Sequence, residues 1–364
     1  MSDTPSGLLE AVFRGRFTRE DTERVAGPER TVLSTITPEL TTGEVMSQQI
    51  TDTSKGAGSV RPFSEIDLNV VQDGPLGAPA VLLVHGLAGS TAWWDPVVAI
   101  LARNFRVIRV DLRGHGRSPS PRHGYDTATH ARSVEAALDR LGVGRVFVVG
   151  HSTGGYVATA LAEQRPGIVV ALTVIDTGPS PRAIIPQGFL SRLALLPFPG
   201  RLLWRLQSKA TIRKLLRAGA FFREVDIPCD VIESIRGMTH RAFAGTARGS
   251  LEYMRRRSVP ERLATVGVPV QVIFGVEDRR YRSSSSADEY RAIPDVRIEL
   301  LEGVGHTPML EVPQTTSQLL SDFMTDTADR NACGRFMMNR PEAFQHRPGT
   351  VGNLGTHGCE ERVS

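Results

Sequence analysis

The chain has 364 residues, 40% of them hydrophobic and 23% charged, which is enough apolar material for a substantial core and excludes a disordered or fibrous chain. No run reaches the ~18 consecutive apolar residues of a membrane-spanning helix, and Met1-Ser2-Asp3-Thr4 lacks the basic-then-apolar start of a secretory leader. The formal net charge of +4 is an arginine effect, with lysine only at Lys55, Lys209 and Lys214, so no nucleic-acid partner is expected. Cys229, Cys333 and Cys359 make no even-numbered disulfide framework, and a cytoplasmic location follows as the expectation.

Residues 1–60 read as an N-terminal tail, largely disordered. Its one stretch of helical spacing is Leu8, Leu9, Val12, Phe13 and Phe17. From residue 61 a regular alternation begins. Ile66 to Val71 reads as a strand and Asp73-Gly74-Pro75 as a turn. Ala80 to Val84 is an apolar strand, 91–104 carry a helical period, Val107 to Asp111 is a strand and 126–141 a helix. Val146 to Val149 is a strand, Gly154 to about Gln164 a helix, and Val169 to Ile175 a strand. Unbroken apolar strands separated by helices predict an α/β protein whose mostly parallel sheet is covered on both faces.

The rhythm stops over residues 179–257, where Leu-rich and Arg-rich helical spacing replaces strands. It resumes with Val270 to Phe274, a helix near 284–292, Val296 to Leu300 and a helix near 314–324. The expected organisation is therefore a core of 61–178 and 258–326, a helical cap of 179–257, and a disordered C-terminal tail of 327–364. Cys333, His346, His357 and Cys359 in that tail match no closed zinc spacing, and no metal is expected.

Gly150-His151-Ser152-Thr153-Gly154 directly follows a strand and precedes a helix. A G-x-S-x-G at that junction is the pattern of a nucleophile elbow, a turn so sharp that the serine backbone is strained and its neighbours must be glycine. A base and an orienting carboxylate then belong on later loops at the same sheet edge, in the order serine, acid, histidine. Asp278 follows Val270 to Phe274, and His306 follows Val296 to Leu300. Asp176, ending an earlier strand, and Glu277 compete with Asp278 for the acid. His85, His115 and His151 compete with His306 and read as structural or pocket-lining. After Ala80 to Val84, His85-Gly86-Leu87 can present the Leu87 N–H as one oxyanion donor, with the Thr153 N–H as the other. Trp93 and Trp94 read as pocket lining, with one at least in plain core.

These pieces together resemble the α/β-hydrolase fold family. The likeness runs from Pro62 to Met324 and rests on His85-Gly86, Asp111-Leu112-Arg113-Gly114-His115-Gly116-Arg117-Ser118, Gly150 to Gly155, Gly275-x-x-Asp278 and Gly305-His306-x-Pro308. It implies Ser152 as nucleophile, His306 as base and Asp278 as acid, with no cofactor. Ser at the elbow, where haloalkane dehalogenases and epoxide hydrolases of this fold carry Asp, argues against both of those reactions. The expected activity is cleavage of a carboxylic ester of a small or medium lipophilic substrate through an acyl-enzyme. Carbon–carbon bond hydrolysis or perhydrolysis on the same triad, and a non-catalytic binding scaffold, are the alternatives. Residues 179–257 hold fifteen Arg plus Lys against five Asp plus Glu, which allows a weak membrane-surface contact through the basic cap.

Overall fold

Seven strands form the centre of the protein: β1 (Val70–Asp73), β2 (Ala80–Val84), β3 (Arg106–Val110), β4 (Val146–His151), β5 (Val169–Ile175), β6 (Val270–Gly275) and β7 (Arg297–Leu301). This computed structural model describes residues 67–187 and 193–338. The strands lie in one sheet in the order β1-β3-β2-β4-β5-β6-β7, antiparallel between β1 and β3 and parallel elsewhere. The chain thus starts outward from β2 through β3, then reverses across β2 to β4. Open parallel sheets place ligand crevices at the carboxyl ends of strands beside such a reversal.

Strand residues alternate between two buried faces. Leu82, Val84, Val146, Val148, Leu172, Val174 and Val272 enter one cluster, while Val81, Leu83, Phe147, Val149, Ala171, Ile175 and Ile273 enter the other. A sheet apolar on both faces needs helices on both, and it has them. α2 (Thr127–Arg140) and α3 (Thr153–Gln164) cover the first face, joined by α8 (Val259–Val266) and α9 (Ser283–Tyr290). α1 (Asp95–Leu101) and α11 (Pro313–Met338) cover the second. Between β5 and α8 lies an insert whose α-helices among the described residues are α4 (Pro197–Leu206), α5 (Lys209–Gly219), α6 (Cys229–Gly237) and α7 (His240–Arg256), and the short α10 (Pro308–Glu311) precedes α11. No helix among the described residues is long and apolar enough to cross a membrane.

Four local expectations are corrected. The first strand runs to Asp73 rather than ending at Val71, because Asp73 pairs with Val107 in the ladder and its carboxylate holds the buried Arg109 guanidinium at 2.7 Å; Ile66 lies outside the described residues. The period over 91–104 divides into a 3₁₀ turn, Thr91–Trp94, and α1, which Pro96 opens. α8, which no sequence signal separated from its surroundings, forms because Val259 and Leu263 bury against α3. Finally, α11 continues to Met338, so residues 327–338 are helix rather than tail: Thr327 is buried and bonds back to the Phe323 carbonyl at 2.8 Å. The remaining tail expectations, 1–60 and 339–364, lie outside the described residues.

Candidate active site

Ser152 sits between β4 and α3 with φ +51° and ψ −118°, a conformation that costs an L-residue of order 1–3 kcal/mol. Its N–H donates to the Ile175 carbonyl at 2.8 Å, and its carbonyl accepts from Gly155 N–H and from the Thr177 hydroxyl. The two motif glycines are steric necessities. A Cβ on Gly150 would lie 2.4 Å from the Gly154 carbonyl oxygen, and one on Gly154 would lie 2.2 Å from that of Val84.

The loop after β2 closes against this turn. A Cβ on Gly86 would lie 2.8 Å from His151 Nδ1 and 3.1 Å from the Ser152 Cβ, so a side chain there would press on this turn. His85 fixes the loop: Leu112 N–H donates to its Nε2 at 3.0 Å, which leaves Nδ1 protonated to donate to the Gly86 carbonyl at 2.8 Å. Burial lowers its pKa to about 4, the carbonyl bond only partly opposing this, and the ring is neutral at pH 7. Neither the Leu87 N–H nor the Thr153 N–H donates to another group among the described residues. Thr153 opens α3, whose N-terminus adds its positive dipole end at Ser152.

From the other side, the His306 Nδ1–H donates to Asp278 Oδ2 at 2.8 Å, and Asp278 Oδ1 accepts from Arg280 N–H at 2.6 Å. Ser152, Asp278 and His306 are all buried at the carboxyl ends of β4, β6 and β7; Asp278 and His306 form a direct pair, and the residue beside Ser152, His151, bonds the His306 carbonyl. Asp278 rather than Asp176 or Glu277 reaches the imidazole. Asp176 lies beside it, with ligand atoms of Asp176, Asp278 and His306 all within 4.8 Å of one another.

His151, read as structural or pocket-lining, is held against the His306 backbone. Its Nε2–H donates to the His306 carbonyl at 2.7 Å and its ring lies 4.9 Å from that of His306; burial, and then the neighbouring His306, push its pKa well down. The two tryptophans also separate. Both are buried in the second core cluster, but the Trp93 ring also lies 5.9 Å from His151, whereas Trp94 is fully buried with Val97, Val98 and Leu101. The Asp111 to Ser118 motif is scaffold: Asp111 accepts from the N–H groups of Thr91 and Arg117 and from the Asn69 amide, and His115 secures the Arg113 carbonyl.

Two residues escaped the sequence reading. Tyr281 interacts through its hydroxyl with Ser152 and with Tyr156, the latter at 3.0 Å, and its ring lies 5.8 Å from His306. Its position three residues beyond Asp278 in one loop was the available signal. Glu311 is buried, and its carboxylate gathers the N–H groups of Gly305, Thr307, Phe222 and Arg223, at 2.9 to 3.3 Å. It ties the His306 loop to the helical insert. Nothing in a lone Glu after a Pro announces that.

A fold with a strained serine between strand and helix, a histidine–aspartate pair at the same sheet edge and unengaged N–H groups at Leu87 and Thr153 fits a hydrolase class. The chain matches the model of the alpha/beta hydrolase family over residues 81–319 and belongs to that family; it is an enzyme. It is 30% identical over 267 residues to an uncharacterized protein of Mycobacterium tuberculosis, covering 68% of this chain and 76% of that one. It is 26% identical over 263 residues to the monoacylglycerol lipase abhd6-B of Xenopus laevis, covering 69% and 77%. Among solved structures it is similar to a thermophilic esterase from Thermogutta terrifontis, at 25% identity and a TM-score of 0.58, covering 78% of this chain and 99% of that one.

Proposed function

We propose that the protein hydrolyses a carboxylic ester of a small or medium lipophilic substrate, with Ser152 as nucleophile, His306 as general base and Asp278 as the group that orients it. The observation that carries this reading is the His306 Nδ1–Asp278 bond of 2.8 Å at the same sheet edge as a serine held at φ +51°. Nδ1 is committed to the carboxylate, so Nε2 is the nitrogen left to take the Ser152 proton as Oγ attacks the acyl carbon. The tetrahedral oxyanion falls to the Leu87 and Thr153 N–H groups, each worth ~2.7–4 kcal/mol where such donors have been removed. His306 then protonates the leaving alcohol, and water releases the acid from Ser152.

The lipase and esterase names of two relatives support the ester class. The helical insert, read as a cap, supplies the apolar surface for a lipophilic acyl group. A fluorophosphonate probe is expected to label the protein and to leave Ser152→Ala unlabelled; equal labelling of that variant overturns the assignment. p-Nitrophenyl esters of graded length, run beside a vinylogous diketone, separate ester from carbon–carbon cleavage, and turnover of the diketone alone contradicts the reading.

A further inference from the structure

Helix α4 turns its apolar side outward. Its inner side is Gly200 and Trp204. A Cβ on Gly200 would lie 2.4 Å from the Ala194 carbonyl and from His240 Nε2. Trp204 packs 4.5 Å from the Phe243 ring and donates its Nε1–H to the Met238 carbonyl at 2.7 Å. At 100° per residue, Phe198, Leu202 and Leu206 share the opposite side. They are 82%, 53% and 48% exposed, and Leu196, just before the helix, is 50% exposed. These are the majority of the large hydrophobic residues exposed among the described ones, gathered on one turn-by-turn stripe. Apolar area stabilises a fold only where it is buried, and the exposed part of this stripe adds nothing to the fold; a contiguous exposed apolar patch of this kind marks an interaction surface.

The charge around the stripe says what that is. Arg201 and Arg205 flank it, both exposed, and neither has a hydrogen bond or ion pair to a described residue. Between Thr177 and Arg223 the sequence carries nine Arg and Lys and no Asp or Glu. Lys214 and Arg217 continue the exposed cations onto α5, while Lys209 at its start is paired with Glu233. An apolar helix face bordered by unbalanced cations is complementary to an anionic lipid surface: the side chains enter the acyl boundary while the guanidinium groups meet phosphates. The chain's own apolar N-terminal stretch, Leu8 to Phe17, is a poorer occupant, since it brings Arg14 and Arg16 against the same positive field. We propose that α4 docks the protein on a membrane surface rich in anionic phospholipid. Trp204, on the inner side of the same helix, shares a cluster with Ala88, the residue after Leu87, so a docked α4 brings the loop beside Ser152 close to the lipid. The docking itself does not depend on the ester-hydrolase reading.

The test is flotation of the full chain with vesicles of phosphatidylcholine alone or with one-third phosphatidylglycerol. Binding is expected to the anionic vesicles only and to weaken as salt rises. Arg201→Gln with Arg205→Gln should weaken it by roughly five-fold for each charge removed, and Phe198→Ser with Leu202→Ser should abolish it. Because these side chains point outward, both variants should keep the wild-type circular dichroism and melting temperature, and Ser152→Ala should float like wild type. No flotation with anionic vesicles, or equal flotation of the Phe198/Leu202 variant, overturns the proposal. So does a wild-type dimer in sedimentation that this variant converts to monomer, which would give the stripe to a second copy.

Discussion

Asp176 and Asp278, at the ends of the adjacent strands β5 and β6, come together beside His306, with one oxygen or nitrogen atom of each of the three within 4.8 Å of the others. Asp176 is completely buried with φ +43°, accepts the Gly275 N–H at 3.0 Å through Oδ1, and has no conventional donor to Oδ2. Burial first, then the charge of Asp278, push its pKa well above the ordinary carboxylate range. Asp176 is thus a neutral acid whose O–H can point at Asp278, which itself bonds Arg280 N–H and His306. The two carboxyls that compete in the sequence are partners in the structure.

Asp176→Asn retains a donor toward Asp278 and is expected to change kcat little, whereas Asp278→Asn should lower it by about 10⁴ because an amide favours the wrong His306 tautomer. The stability signs differ from the usual carboxylate. A carboxyl whose folded pKa is raised contributes stability that is complete below the unfolded value and is lost as pH rises toward the folded one. Asp176→Asn should therefore melt higher than wild type at pH 7, with the gap closing as pH falls toward 4. A gap that widens on acidification would mean Asp176 is charged in the native protein.

Glu311 makes a second prediction. Its carboxylate collects four N–H groups from two separate segments, and a glutamine offers one acceptor oxygen in place of two. Each buried N–H left unpaired costs about 1–3 kcal/mol. Glu311→Gln should lower the melting temperature by several degrees and reduce kcat, while Glu311→Asp should do the same through reach alone. Activity at the wild-type level in both would show that the His306 loop is held by its packing.

Four buried histidines set the acid limit. Burial holds His85 at about 4 and His115 at about 3, and pushes His130 and His151 well down. In the unfolded chain each takes a proton near pH 6.5. Between that value and the folded values the unfolded state binds more protons, so stability is full above about pH 6.5 and declines as pH falls toward 4 and then 3. His85 and His115 each contribute on the order of a few kcal/mol. Thermal melts from pH 7.5 to 4.5 should show a steep fall, and replacing His115 with Gln should make it shallower. A flat profile would contradict neutral burial.

The strands and the serine turn were legible because each carries a local signature: unbroken apolar runs for a sheet buried on both faces, and flanking glycines where a Cβ would strike Val84 or Gly154 backbone. His306 and Asp278 were legible through order along the chain. What stayed hidden depends on distance in sequence. Glu311 acts on Phe222 and Arg223 from almost ninety residues away, Tyr281 reaches Ser152 only once β4 and β6 have been placed, and α8 exists because Val259 and Leu263 find the first core cluster. Asp73 looked like turn, since nothing local shows that Arg109 waits opposite.

His151 shows the same gap between residue type and role, and it gives the last prediction. Adjacent to Ser152, it reads as lining for the pocket, yet its Nε2–H spends itself on the His306 carbonyl at 2.7 Å, and its Nδ1 has no partner. The ring is kept neutral by burial and by the neighbouring His306, so it acts as a donor and not as a second base. His151→Phe would keep the volume and leave the His306 carbonyl unpaired, at about 1–3 kcal/mol. The imidazole borne by that backbone would then lose its fixed distance to Asp278 and Ser152, and misplacements of this kind cost up to ~10²-fold in rate. We expect a ten-fold or greater loss in kcat with KM little changed, and partial rescue in His151→Gln, whose amide can donate to the same carbonyl. If Phe and Gln behave alike, or if the loss falls on KM alone, His151 is lining the substrate pocket after all.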